Sequence, residues 1–414
     1  MKIQQVTSPG GIKAWLVEDH NVPLVTMEFA FLGGAVQDPD DKKGVAYFVS
    51  GMLDEGAGDI GSKAFQEKKE DLAFRMSFDA MRDVFSGSFQ TLTEKRDESF
   101  KMLRLALTKP RFDQDAIERI RKQITSGLKF DANDPSKVAS KNWIAAAFGQ
   151  HPYAKSTKGS EKTLKAITQN DLQDYVKRIF AKENLYVAVV GDIDAKTLGE
   201  VLDKTFGDLP KKPDLKNISE AESAFGPQEK VIEMNVPQSV VKFGHQGLKR
   251  KDTDFVPAYI LNYVIGGGGF NSRLLTEVRE KRGLAYSVYS YLSPYNHGAL
   301  FAGGVATENK SVRKAIGVIK DVIADVAKNG PTEEEVEGAK QYLTGSYALR
   351  FDTSPKIASQ LLWIQIEDLG IDYIEKRNSL IEAVTQDDLK RVAQEMLKPE
   401  KLIITIVGKP AEEG

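Results

Sequence analysis

Two side chains with hydrogen-bonding chemistry lie close together in the second half of the chain. Arg279 falls in the last turn of a predicted helix, and Tyr286 falls on the strand predicted to follow it. A guanidinium and a phenol both donate hydrogen bonds, and both can stabilise a peptide carbonyl or the oxyanion that develops on it. Spacing alone favours a plainer alternative, in which Arg279 is an exposed helix-end cation and Tyr286 a half-buried strand aromatic. The surrounding residues must decide between the two.

The residue types that usually bind transition metals are scarce in this sequence. It contains no cysteine and only four histidines, none of them spaced as a helical ligand pair: His20, His151, His245 and His297. Disulfides, thiol nucleophiles and cysteine-based zinc sites are therefore excluded, whereas a metal bound by carboxylates is not. The histidine positions support no Ser-His-Asp arrangement either, so a stand-alone hydrolase is disfavoured.

The charge balance is that of an ordinary soluble globular protein. The chain has 414 residues, with 57 Lys and Arg against 59 Asp and Glu, and a formal net charge of −2. This balance disfavours a dedicated nucleic-acid binder or a polybasic membrane partner. We expect no membrane span, because no apolar run is long enough to cross a bilayer. The length alone predicts two to three domains.

The sequence contains an internal duplication. Residues 164–193 align without a gap with residues 381–410, and both segments contain the elements T-Q-x-D-L and V-G. A second pair of similar segments precedes this pair in each half: FDANDPSKVAS at 130–140 resembles FDTSPKIAS at 351–359. Repeats in conserved order indicate that the chain is built from two similar units.

The duplication predicts two homologous domains, residues 1–209 and 231–414, joined by a polar linker at residues 210–230. Each repeat ends with a Thr-capped helix followed by an apolar strand that a glycine closes. Earlier in each half, strands and helices are mixed without strict alternation. This pattern predicts an α+β fold, in which each domain is a mostly antiparallel sheet with helices packed on one face.

An apolar stripe at 45–53 predicts a helix whose opposite face carries Tyr47, Ser50 and Gly51. With the preceding GG…DPxDK segment, this resembles the first motif of the pitrilysin/insulinase metallopeptidases, the inverzincins. In active members that face reads H-x-x-E-H, where the two His bind zinc and the Glu activates water. The resemblance places the third ligand in the region 119–130, which contains no Asp or Glu. It therefore implies a degenerate zinc site that binds no metal.

The surroundings of Arg279 and Tyr286 resemble the second motif of the same family. They read GGGGFNSRL and REKRGLAYSVYS. In active relatives this pair lies in the half opposite the zinc and reaches the scissile peptide, so the resemblance assigns Arg279 and Tyr286 to substrate and oxyanion contacts. We interpret Arg273 as a surface or inter-domain contact. A nucleotide loop is disfavoured because no GK[ST] follows the glycines. The Gly-rich loop of mitochondrial processing peptidase implies substrate handling by Gly266, Gly267, Gly268 and Gly269.

The resemblance covers essentially the whole chain and implies a processing-peptidase-like fold with a divided function. It implies a non-catalytic, peptide-binding subunit of a bacterial heterodimeric zinc endopeptidase. A homologous H-x-x-E-H partner is expected to supply the zinc and the general base, so this chain needs no cofactor of its own. The alternative is a catalytically inert scaffold or assembly subunit with the same fold. A homodimer of the isolated chain is left open. We expect a periplasmic location, with the signal absent from this sequence, and the cytoplasm as the alternative.

Overall fold

The computed structural model describes residues 1–221 and 226–411. Its strands are β1 (Gln4–Thr7), β2 (Lys13–Glu18), β3 (Leu24–Leu32), β4 (Gly56–Ala57), β5 (Ile60–Gly61), β6 (Arg75–Ala80), β7 (Val84–Leu92), β8 (Leu185–Gly191), β9 (Gln228–Glu233), β10 (Gln238–Gln246), β11 (Ala285–Tyr295), β12 (Gly298–Glu308) and β13 (Ile403–Gly408). Its α-helices are α1 (Val45–Ser50), α2 (Ser62–Asp71), α3 (Arg96–Thr108), α4 (Gln114–Asn133), α5 (Pro135–Phe148), α6 (Glu161–Ala166), α7 (Gln169–Ile179), α8 (Ala195–Phe206), α9 (Phe255–Asn262), α10 (Val312–Asn329), α11 (Glu333–Gly345), α12 (Ser354–Ile366), α13 (Tyr373–Glu382) and α14 (Gln386–Met396). Two further segments, Tyr263–Gly267 and Leu275–Glu280, are π-helical.

The two large sheets share one topology. The first has the strand order β1-β2-β8-β3-β7-β6, and the second, read in reverse, has the order β9-β13-β10-β12-β11. In each sheet one pair, β2 with β8 and β13 with β9, is parallel and the other pairs are antiparallel. The first sheet has β1 as an additional edge strand beside β2. Each sheet has its own apolar core cluster. The predicted α+β fold with two mostly antiparallel sheets is therefore confirmed.

The duplicated helix ends repeat in detail. Thr168 and Asp171 form a capping box at the start of α7, and Thr385 and Asp388 form the same box at the start of α14. In the second box the Asp388 amide donates to the Thr385 hydroxyl at 3.1 Å, and the Thr385 amide donates to the Asp388 carboxylate at 3.0 Å. Each box satisfies amides that the first helical turn leaves without partners. The helix–strand unit predicted from the repeat is thus present twice.

The packing units are not continuous in sequence. The first unit consists of Met1–Leu128, Lys155–Asn217 and Ala348–Tyr373, and the second contains the remaining described residues. Helix α5, from the first repeat, therefore packs in the second unit, and α12, from the second repeat, packs in the first. The division at 210–230 remains a prediction about the duplicated segments, and residues 222–225 of that predicted linker lie outside the described residues.

Helix α5 covers the face of the second sheet that points away from its core cluster. The Trp143 indole N–H donates to the Ile403 carbonyl at 2.9 Å. A Cβ on Gly244 would lie 2.7 Å from the Trp143 ring, so the glycine leaves the space into which the indole fits. Helix α12 lies on strands β3 and β8 of the first sheet, where the Gln365 amide donates to the Val187 carbonyl at 3.0 Å.

Candidate functional site

Helix α1 is held at its start by a buried carboxylate. Asp38 accepts hydrogen bonds from the amides of Gly44, at 2.8 Å, and Ala46, at 3.0 Å. Gly44 has a φ of 105°, a backbone conformation that favours glycine. Burial raises the pKa of Asp38 to about 7, against the opposing effect of the two backbone hydrogen bonds. The D-P-x-D-K segment therefore positions this helix whether or not a metal is bound nearby.

The helix itself is shorter than the sequence predicted. The apolar stripe predicted a helix through residue 53, but α1 ends at Ser50 and Gly51 is its C-cap. The Ser50 hydroxyl donates to the Tyr47 carbonyl at 2.8 Å. The Tyr47 ring is half-buried, with the Lys158 ammonium 5.9 Å from its centroid. The prediction was wrong at this end because a stripe reports which side chains are buried, and not where the helical hydrogen bonds stop.

The residues at the degenerate zinc positions do not fit a zinc ion. Tyr47 lies beside an ammonium, the Ser50 hydroxyl is already bonded to the backbone, and Gly51 has no side chain. A Cβ at Gly51 would lie 3.4 Å from the Ile120 side chain of α4, so the facing helix presents a hydrocarbon. Zinc requires nitrogen, sulfur or carboxylate ligands. Within residues 1–221 and 226–411, no group of three or more His, Cys, Asp or Glu is arranged to hold a metal ion.

The predicted Arg279–Tyr286 pair is brought together in the second unit. The guanidinium carbon of Arg279 lies 4.7 Å from the centroid of the Tyr286 ring. Phe270, which precedes Arg279 by nine residues, is a third member of the group. Its ring centroid lies 5.0 Å from the same guanidinium carbon. The Tyr286 and Phe270 side chains are 81% and 69% exposed, so two aromatic rings that flank a cation face solvent. Such cation–π contacts orient the guanidinium while its N–H donors stay available.

A widened helical turn places Arg279. The predicted helix after the Gly-rich segment is π-helical over Leu275–Glu280, and π-turns are frequent at functional sites. The segment closes at Gly283, which has a φ of 59° and donates its amide to the Arg279 carbonyl at 2.8 Å. The Leu284 amide donates to the Val278 carbonyl at 2.9 Å. Gly283 thus closes the segment in the left-handed conformation that glycine favours after a helix.

A β-bulge places Tyr286. Ala285 pairs with Thr307 and Val288 pairs with Val305, so Tyr286 and Ser287 together face a single residue of β12. In a regular strand Tyr286 would point to the same face as Val288, which belongs to the core cluster. The extra residue turns Tyr286 away from the core, and bulges are a common device for re-aiming a side chain.

The four glycines have packing reasons of their own. Gly266 is buried, and a Cβ there would lie 2.5 Å from the Ser290 amide nitrogen of β11. A Cβ on Gly267 or Gly268 would meet the preceding turn at under 3 Å, and Gly269 has a φ of 56°. This segment therefore lets the chain pass close to β11 before it reaches Phe270. Substrate handling by these glycines stays a prediction. The backbone of Gly266 is buried and is therefore not accessible to a substrate.

Arg273 is occupied by an ion-pair network inside the second unit. Its guanidinium donates to both carboxylate oxygens of Glu335 at 2.6 Å and to Asp325 at 2.6 Å. Burial raises the pKa of Glu335, but the Arg273 hydrogen bonds and others outweigh it, and the pKa is lowered overall. These contacts tie the segment after the glycines to α10 and α11. Arg273 therefore positions the loop that bears Phe270.

Comparison with known proteins identifies the family of this chain. A family model described as insulinase, peptidase family M16, matches residues 13–161, and a second, described as peptidase M16 inactive domain, matches residues 166–343. The chain belongs to this family. Because the zinc positions hold tyrosine, serine and glycine, it is an inactive member with the metallopeptidase fold.

Solved and curated relatives support the assignment. The crystal structure of a peptidase M16 inactive domain from Pseudomonas fluorescens matches with a TM-score of 0.94 and 28% identity, covering 100% of this chain and 99% of that chain. A protease from Helicobacter pylori shares the fold, with a TM-score of 0.87 and 18% identity, over 98% of this chain and 99% of its own. The Helicobacter pylori "Non-peptidase homolog YmxG" is 28% identical over 341 residues, which are 81% of this chain and 78% of the relative. In the part of the chain that the structure describes, no helix is both long and apolar enough to cross a membrane.

Proposed function

We propose that this chain is the non-catalytic, peptide-binding subunit of a heterodimeric zinc endopeptidase. The observation that carries the proposal is the solvent-exposed group formed by Arg279, Tyr286 and Phe270. A β-bulge turns Tyr286 out of the core, and a π-turn places Arg279 beside it. Both backbone irregularities have the same result, which is that hydrogen-bond donors face solvent.

The chemistry of the pair suits a peptide carbonyl. The Tyr286 hydroxyl and the Arg279 N–H groups donate to the carbonyl oxygen of the bond to be cleaved, and the same donors hold the oxyanion that forms on it. Donors aimed at a developing oxyanion typically contribute a factor of about 10² to 10³ in kcat. The rings that flank Arg279 keep its guanidinium in place before the peptide arrives, which reduces the entropy lost on binding.

The other half of the reaction is assigned to a partner. Cleavage also needs an activated water and its general base, and the residues of α1 and the facing side of α4 do not fit the metal that would provide them. A homologue with the H-x-x-E-H motif has the missing groups. In this proposal the partner holds zinc and activates water, while this chain binds, orients and polarises the peptide.

A second candidate is an inert scaffold of the same fold. It is favoured by the name of the Helicobacter pylori relative, a non-peptidase homologue. In a scaffold, the exposed pair would make no contact with a reacting peptide, and its removal would leave proteolysis by any partner unchanged.

The test is a reconstituted complex with an H-x-x-E-H homologue, assayed on a quenched fluorescent peptide. We expect Tyr286→Phe to lower kcat about a hundredfold with little change in KM, because the lost donor acts mainly on the oxyanion. The matched control is Tyr342→Phe, which removes the hydroxyl of another exposed tyrosine, on α11. If both variants retain full kcat, the scaffold reading is correct and the proposed function is wrong.

A further inference from the structure

Two more tyrosines lie farther along the same strand as Tyr286. Tyr289 and Tyr291 are alternate residues of β11, so their side chains point to the same face of the sheet. Their ring centroids are 6.2 Å apart with an interplanar angle of 23°. They are 42% and 40% exposed, whereas their neighbours Val288 and Ser290 are buried. The two rings therefore form an aromatic surface on the face away from the core cluster.

The residues beneath the two rings are small, which lets a ring lie flat on the sheet. Tyr289 pairs with Gly304 of β12, and Tyr291 pairs with Ala302. A Cβ on Gly304 would lie 3.1 Å from the Tyr289 hydroxyl oxygen, so the tyrosine lies across the glycine rather than standing away from the sheet. On the far side, Lys242 of β10 donates from its ammonium to the Tyr289 hydroxyl at 2.6 Å. We call Tyr289, Tyr291 and Lys242 the aromatic platform.

The platform has a fixed positive charge. The Lys242 ammonium lies 5.0 Å from the centroid of the Tyr289 ring, at the hydroxyl end of that ring. The Lys242 ammonium donates its hydrogen bond to the Tyr289 hydroxyl and not to a carboxylate. The ring faces attract an aromatic or apolar side chain, and the ammonium attracts a carboxylate and repels a cation.

We propose that the aromatic platform is a specificity-determining subsite that binds an extended peptide segment in which an aromatic residue and an acidic residue are separated by one residue, so that both side chains lie on the same face. The proposal rests on the proposed function, since the platform continues the strand from Tyr286. Five residues of extended strand separate Tyr286 from Tyr291, roughly 16 Å at 3.3 Å per residue. A peptide whose carbonyl is held at Tyr286 therefore reaches Tyr289 and Tyr291 with side chains about three and about five residues away.

The size of the platform favours a peptide over a folded partner. Two rings and one ammonium match one or two side chains of an extended chain, whereas a stable protein interface buries roughly 800 Å² on each partner. Peptide side chains on one face repeat every two residues, as Tyr289 and Tyr291 do, so an extended segment can place successive same-face side chains over both rings.

The test measures binding by the full-length chain alone, using fluorescence anisotropy of labelled decapeptides. One peptide contains Phe and Asp separated by one residue, a second has Ala in place of the Phe, and a third has Lys in place of the Asp. We expect the first to bind about fivefold more tightly than each of the other two. Tyr289→Ala should abolish the preference for Phe, and Lys242→Glu should reverse the preference between Asp and Lys. Tyr342→Ala, at an exposed tyrosine on α11, should change neither preference.

Two results would overturn the proposal. One is equal binding of the three peptides by the wild-type chain, including the case in which none binds. The other is a preference that survives in both Tyr289→Ala and Lys242→Glu, provided that these variants keep the wild-type melting temperature. Because no zinc subunit takes part, a failure here is separate from a failure of the reconstituted peptidase, which tests Tyr286.

Discussion

Removal of the Phe270 ring tests whether the aromatic flank of Arg279 has a role in peptide binding. The ring centroid lies 5.0 Å from the guanidinium carbon of Arg279, while the Tyr286 ring lies at 4.7 Å. Phe270→Ala removes one of the two rings and leaves both hydrogen-bond donors in place. Since Phe270 is 69% exposed, its removal opens no cavity in the core.

The expected magnitudes differ between stability and function. A cation–π contact at an exposed site is worth about 0.5–1 kcal/mol, so the free energy of unfolding should fall by no more than about 1 kcal/mol. A guanidinium that has lost one ring must be ordered when the peptide binds, which costs about 0.5–1.5 kcal/mol. We therefore expect kcat/KM of the reconstituted enzyme to fall roughly two- to tenfold.

The assay is a double-mutant cycle on kcat/KM with Phe270→Ala, Arg279→Met and the combined variant. Because Phe270 acts through Arg279, it should have little effect once Arg279 is gone, so the coupling energy should equal the effect of Phe270→Ala alone, about 0.5–1.5 kcal/mol. Additive effects of the two substitutions would refute the reasoning. A loss of more than about 2 kcal/mol in unfolding free energy would also refute it, because that would indicate a core role for the ring.

Three further predictions concern the framework around the site. Burial raises the pKa of Glu28 to about 7 from 4.5, so the folded state retains a proton that the unfolded state loses, and stability falls as pH rises from about 4.5 to 7. Glu28→Gln should therefore raise the unfolding free energy by about 1–3 kcal/mol at pH 8 and change it little at pH 4, as measured by urea denaturation; an equal effect at both pH values would contradict this. Asp38→Ala removes the carboxylate that accepts hydrogen bonds from the Gly44 and Ala46 amides at the start of α1, and should cost about 1–2 kcal/mol in the same assay. An unchanged free energy of unfolding would show that these two hydrogen bonds are dispensable. Arg273→Met should cost about 1–3 kcal/mol because it leaves Glu335 half-buried without its main partner, whereas Arg282→Met, at an exposed pair, should cost under about 0.5 kcal/mol; similar losses would argue against the loop-positioning role.

Much of the fold could be predicted because its signals are local or repeated. The gapless match between 164–193 and 381–410 predicted the same helix–strand unit twice, and capping boxes begin α7 and α14 as expected. The exchange of α5 and α12 between the two packing units could not be predicted. The contact of Trp143 with Ile403 depends on long-range packing that periodicity does not encode.

The candidate site was likewise predicted only in part. Arg279 at a helix end and Tyr286 on the next strand follow from spacing and from Gly283, which closes the helix. The π-turn and the β-bulge were not predicted, because each differs from regular structure by one residue whose cost or benefit depends on neighbouring elements. Phe270 was missed as a third member, although an aromatic residue directly after four glycines was the signal available in the sequence.

The central claim is that this chain contributes peptide-binding donors to a zinc site that it does not contain. The most direct measurement is peptide turnover as the chain is titrated into a fixed amount of an H-x-x-E-H homologue. We expect each protein alone to be inactive and turnover to rise to a plateau at one equivalent of this chain. Tyr286→Phe should give the same equivalence point with a kcat about a hundredfold lower. Full turnover by the homologue alone, or a plateau that Tyr286→Phe does not lower, would contradict the claim.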